Sequence, residues 1–306
     1  MIDPSDAPSD RSTVESRFIY LPLAILSLAM VVARRNLRTG RGDREGARRI
    51  AVFAAFWLLV GHGLREPSRL EAPLVMLYFM NALFYTVASW VTYLALEPIV
   101  RRRWPGTLVS WTRLLRGRLL DPLVGRALLI GVLGGVASTL IDQVGSLVQA
   151  ADFARWPGSP ERLAGGWNAL GNLITDCGSA VLFCLAPLML LALLRQVLRK
   201  TWAAFLVTVG LIEIGLGSGG LLAAAVSLPL MGLFVGLLIR PGLLATAAAA
   251  SVSNFLGASL VTTHLGAWYA DSAVSGILAT LALAAWGFYA ALGGRPLLGD
   301  SSREIA

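Results

Sequence analysis

Polar and apolar residues in this chain are segregated into long blocks instead of alternating at short period. Apolar runs cover residues 18–33, 50–64, 72–96, 123–149, 167–194, 202–217, 221–239, 243–263 and 273–292. Runs of this length, apolar on all sides, predict helices whose every face meets protein or hydrocarbon. The first two are short for a core of about 30 Å at about 1.5 Å per residue, so they need flanking residues to cross. The pattern predicts an all-α polytopic membrane bundle of about nine transmembrane helices. It divides the chain into a polar acidic tail (1–17), a membrane domain (18–294) and a short carboxyl-terminal tail (295–306).

Charge then orients the bundle. Arg34, Arg35, Arg38, Arg41, Arg44, Arg48 and Arg49 follow the first run, and a neutral segment from Arg65 to Glu71 follows the second. Arginines crowd the connection after the third run, whereas the 150–166 segment after the fourth is neutral. Arg195, Arg199 and Lys200 follow the fifth run and Arg240 the seventh. Only alternate connections are basic, so the positive-inside rule places the amino terminus outside and the carboxyl terminus inside. The first 17 residues are net acidic, unlike a cleavable signal peptide, so the first apolar run is expected to be an uncleaved span. Gly215, Gly217, Gly219 and Gly220 break the run over 202–239. Two helices joined by a tight outer turn is the simpler reading, and a broken or re-entrant helix is the other.

The basic connection at 100–121 carries further pattern. After Arg101, Arg102, Arg103 and Trp104, Pro105 suits a first helical position. Leu108, Trp111, Leu115 and Leu119 then share one helical face, with Arg113 and Arg116 opposite. Such a helix fits the headgroup plane of an anionic leaflet, and it equally fits packing against the bundle.

Within the runs, Asp142, Asp176 and Glu213 stand out, because a charge in hydrocarbon costs at least about 2.5 kcal/mol and often marks function. All three fall toward the outer side. With Asn168, Asn172 and Gln143 they could line a polar outer cavity for an ion or small ligand. The simpler alternative is that they reach interfacial water or pair with Arg155 and Arg162. Without a histidine partner they make a poor metal set.

Composition narrows the function classes. The chain is 56% hydrophobic and 14% charged, with a mean hydropathy of +0.68; a soluble domain carries about a quarter charged residues. The net charge of +8 flanks apolar runs, which points to membrane anchoring and away from nucleic acid. Cys177 and Cys184 are two helical turns apart, roughly 10 Å of rise, too far for a bridge within one helix. His62 and His264 belong to no zinc motif or catalytic triad. Gly215-Leu216-Gly217-Ser218-Gly219-Gly220 lacks the lysine and preceding strand of a phosphate loop. Kinase His-Arg-Asp and Asp-Phe-Gly motifs are missing, so no catalytic residue, cofactor or metal is assigned.

Three strings together resemble the carboxyl-terminal multi-pass membrane region of acidobacterial-type serine/threonine protein kinases. They are Ala33-Arg34-Arg35-Asn36-Leu37-Arg38-Thr39-Gly40-Arg41-Gly42-Asp43-Arg44, then Leu96-Glu97-Pro98 through Asp121-Pro122-Leu123-Val124-Gly125-Arg126, then Ala267-Trp268-Tyr269-Ala270 with Gly287-Phe288-Tyr289 and Gly293-Gly294-Arg295-Pro296-Leu297. They occur in the family's order, and the resemblance covers roughly residues 18–298. In that family a cytoplasmic kinase domain and an outer segment precede the helices, and here a 17-residue tail stands in their place. The chain is thus expected to be either a stand-alone relative of that membrane module or part of a longer kinase. The resemblance implies a non-catalytic sensor or anchor in a bacterial inner membrane. Its expected partners are anionic lipid at the basic loops and a cytoplasmic kinase. A small-solute transporter is the rival class. The sequence leaves the oligomeric state open.

Overall fold

The computed structural model describes residues 10–40, 42–65, 72–149, 167–216, 220–257 and 270–293, and among them every regular element is helical. Ten α-helices follow in order: α1 (Asp10–Arg38), α2 (Arg44–Arg65), α3 (Ala72–Arg103), α4 (Val109–Leu115), α5 (Pro122–Gln149), α6 (Trp167–Leu198), α7 (Thr201–Leu216), α8 (Leu221–Ile239), α9 (Leu243–Gly257) and α10 (Ala270–Leu292). A 3-10 turn, Pro105–Leu108, leads into α4. An apolar surround offers the backbone no hydrogen-bond partners, which is why such runs close their bonds internally as helices.

Each of the nine apolar runs lies in a helix as far as it is described; residue 217, the end of the sixth, and 258–263, the end of the eighth, fall outside the described residues. Among the described residues, six helices are long and apolar enough to cross a membrane: Arg44–Arg65, Val75–Arg103, Pro122–Leu147, Trp167–Leu198, Leu221–Ile239 and Ala270–Leu292. Thr201–Gly215 and Leu243–Gly257 are apolar but shorter. Helix α1 starts at Asp10, so the second half of the expected polar tail is helical. Residues 1–9, the 150–166 segment with Arg155 and Arg162, and the 295–306 tail lie outside the described residues.

Packing relies on small residues. A Cβ on Gly131 would come within 2.5 Å of both the Ala245 carbonyl oxygen and the Ala248 methyl, and one on Gly135 within 2.5 Å of Val252. These contacts run 131 to 245 and 135 to 252, so α5 and α9 are parallel neighbours with their backbones almost touching. Gly125 meets the Gly287–Ala291 turn of α10, and Gly145 meets Val226 of α8, both antiparallel to α5. Likewise Gly61 of α2 faces Thr175 of α6, and Gly178 faces Trp57. In lipid, where the hydrophobic effect does not drive helices together, such close approach supplies the van der Waals contact that does.

Helices α7 and α8 form an antiparallel pair: Phe205 faces Gly232, and Ser227 donates to Glu213 at 2.5 Å. This matches two helices joined by a turn, although residues 217–219 themselves are outside the described set. The outer surface is apolar, with Val31, Met76, Phe79, Leu133 and Leu281 all more than half exposed.

Candidate functional site

The arginine-bearing ends of the helices gather at one end of the bundle, and their side chains are sorted there into paired and unpaired. Pro98 lies inside α3 and has no N–H, so it leaves the Leu94 carbonyl without its helical donor. Leu94 is fully buried, and Asn36 Nδ2 of α1 supplies the missing bond at 3.0 Å, reaching Ala95 O at 3.2 Å as well. One turn on, Glu97 is only 4% exposed and pairs with Arg101 at 2.5 Å. Asp43 caps α2 by accepting from Gly46 N at 2.9 Å, and its other oxygen faces Arg101 at 3.5 Å. Helices α1, α2 and α3 are thus joined at their basic ends by a single polar network. Asn36, Asp43 and Glu97 were not singled out by charge counting. The Asp-Arg-Glu-Gly start of α2 and the proline after Glu97 were the available signals.

The 100–121 segment is not a continuous amphipathic helix. The 3-10 turn and the short α4 end at Leu115, and Gly117 at φ +79 turns the chain away. Leu119 therefore leaves the shared face and is half exposed, with its carbonyl accepting from Trp286 Nε1 of α10 at 3.1 Å. The apolar face turns into the bundle. Leu108 and Trp111 are 2% and 1% exposed, and Trp111 stands edge-on to Phe53 of α2 at 5.7 Å. Of the two readings of this face, packing describes Leu108 and Trp111. Trp104 is half-buried and wedged between the main core and the α6–α7 contact.

Arg113 pairs with Asp121 at 2.6 Å. Burial works to raise the Asp121 carboxyl, but hydrogen bonds from Arg113 and the Leu123 amide, with the Arg113 and Arg118 charges, outweigh it and hold it below the usual range. Arg102, Arg103 and Arg116 are exposed, and among the described residues no carboxylate pairs with them. They are part of the free cationic surface of this end.

Asp142, Asp176 and Glu213 lie on three helices toward the opposite end. Asp142 is half-buried late in α5, with Gln143 exposed beside it. Asp176 is buried in α6, one turn from the buried Asn172, while Asn168 is half-buried at that helix's start. Glu213 is buried with Ser227 as its partner, and its second oxygen has none. Among the described residues no three His, Cys, Asp or Glu side chains converge as a metal cage would require, so these three do not share one.

A cavity of 520 Å³ lies elsewhere, between α1, α2, α3 and α6. Its walls are mostly apolar, but His62, Asn81, Ser89, Thr92, Thr175 and Ser179 also line it. His62 stacks on Tyr78 with ring centroids 4.6 Å apart. A concave, largely apolar site with a few polar groups is the usual form of a small-molecule site. Four helices contribute to it, so no local motif announces it. No protein-family model, curated protein or solved structure matches this chain.

Proposed function

We propose that this chain is a multi-pass integral membrane module of a bacterial inner membrane that senses a small molecule and relays its occupancy to a cytoplasmic partner, without catalytic chemistry of its own. The observation that carries this reading is a shared set of helices. Helices α1, α2 and α3 line the 520 Å³ cavity and are also joined at their basic ends through Asn36, Asp43, Glu97 and Arg101. A ligand that shifts their packing at one end must strain or relax the network at the other. The up-down order of the helices supports nine crossings, and the clustering of arginines at one end supports an outside amino terminus and an inside carboxyl terminus.

The resemblance to the membrane region of serine/threonine kinases supports a kinase as the partner. In this reading Arg102, Arg103 and Arg116 face anionic headgroups or the partner, and Arg101 and Arg113 hold the relay. Pull-down of the full chain from its native membrane tests it. A cytoplasmic kinase should co-purify with wild type and be lost with Asp43→Asn, which cuts the network but leaves Arg102 and Arg103 in place. Equal recovery of the kinase with both proteins would defeat the relay.

The polar lining of the same cavity favours a second reading, transport of a small solute. Liposomes containing purified protein distinguish the two, because solute uptake abolished by Asn81→Leu would make the cavity a path instead of a sensor pocket.

A further inference from the structure

A second, larger cavity lies among the described residues, apart from both features above. It measures 920 Å³ and is an open groove bordered by α5, the 3-10 turn with α4, α7 and α8 at the basic end of the bundle. Its walls are apolar, including Ile130, Phe205 and Leu237, while Arg126 of α5 and Arg240 at the end of α8 stand on its rim. Both arginines are exposed, and among the described residues neither has a carboxylate partner, in contrast to Arg101 and Arg113.

The slot between α5 and α8 is kept open by glycine. A Cβ on Gly236 would meet nothing within 4 Å, and one on Gly232 only Phe205 at 3.8 Å. This differs from Gly131 and Gly135, whose bare backbones are occupied by a neighbouring helix. At Gly232 and Gly236 the protein leaves the room unfilled.

The geometry points to a binding site for an anionic phospholipid, its phosphate held between Arg126 and Arg240 and an acyl chain laid in the slot beside Gly232 and Gly236. Guanidinium groups suit phosphate oxygens, since their planar forks donate paired hydrogen bonds. Basic pockets between helices at the cytoplasmic side of a membrane hold anionic headgroups for this reason. The volume falls within the range of roughly 300–1,000 Å³ typical of small-molecule sites. A zwitterionic lipid would bring its own cation to the two arginines. The proposal rests on the reading of the helices as membrane-embedded, and not on the sensor role.

The test uses the full chain in detergent, with retained lipid counted by native mass spectrometry after titration with phosphatidylglycerol or phosphatidylcholine. Wild type should hold one phosphatidylglycerol at least tenfold more tightly than phosphatidylcholine. Arg126→Gln with Arg240→Gln should remove that preference, because neither side chain supports the fold through a partner. Gly236→Leu should fill the slot and weaken retention about as much, and Gly236→Ala should weaken it by an intermediate amount should the leucine not fold. Arg44→Gln with Arg48→Gln, which removes the same charge from exposed positions away from the cavity, should leave retention unchanged.

Equal retention by the Gly236 variants and wild type would overturn the proposal in favour of general surface attraction, as would equal loss in the Arg44 and Arg48 variant. Competition by water-soluble glycerol phosphate as strong as by the lipid would reduce the site to an anion pocket and also overturn it. Failure of the membrane reading would appear separately, as protein recovered soluble without detergent.

Discussion

Asn36 illustrates how one side chain can complete the backbone of another helix. Its amide stands in for the N–H that Pro98 lacks, so Asn36→Ala leaves the buried Leu94 carbonyl without a partner. That is expected to cost about 1–3 kcal/mol. Pro98→Ala restores the intrahelical donor, so the same Asn36→Ala change should cost clearly less in that background, and a double-mutant cycle of thermal melts measures the difference. Trp111 is another case, since its Nε1 is buried without a hydrogen-bond partner. Trp111→Phe should be tolerated within about 1.5 kcal/mol, because the ring contact to Phe53 survives. Trp111→Ala should cost about 3–5 kcal/mol in denaturation experiments. For Asp121 the folded carboxyl is held below its ordinary value of 3.8, so its stabilisation is present above that pH and is lost as pH falls through the folded value. Melting temperature should therefore drop below about pH 4, and less so for Asp121→Asn. The spacing of Leu108 and Trp111 made their common face legible. Periodicity states which residues look the same way but not what they look at, so bilayer and bundle could not be separated until the core was seen.

At the scale of elements, apolar run length translated directly into helices, because each run must satisfy its own backbone wherever water is absent. The shortness of α4 was less legible. Leu115 and Leu119 are correctly spaced for one helix, but Gly117 at φ +79 stops it, and nothing about a glycine in sequence states which sign its φ will take. The cavities were not legible either. The polar groups around the 520 Å³ site are His62 of α2 and scattered serines, threonines and an amide of α3 and α6, each within an apolar run. The glycines of α5 do allow a prediction. Gly131→Leu would drive a side chain into the α9 backbone and should destabilise the bundle by about 1–3 kcal/mol or prevent its isolation as a monodisperse species. Gly236→Leu should leave the melting temperature nearly unchanged, because a Cβ there meets open space. Size-exclusion profiles and melts of the two variants provide the comparison.

For the whole molecule, topology is the property most directly open to measurement. With nine crossings, a fluorescent protein fused at the carboxyl terminus should report inside and a phosphatase fused at the amino terminus outside; an even number of crossings would put both termini on the same side. Charge alternation carried this orientation in the sequence, because each basic connection contributes to the same bias. The parallel pairing of α5 with α9 has a consequence for how the protein is made. Gly131 and Gly135 find their partners only in chain that is synthesised much later, after three further helices have been made. Until then α5 must stand in lipid with its bare backbone stripe uncovered. A nascent chain halted after α8 would therefore be an insertion intermediate with an open seam, suited to capture by an insertase or chaperone until α9 arrives to close it.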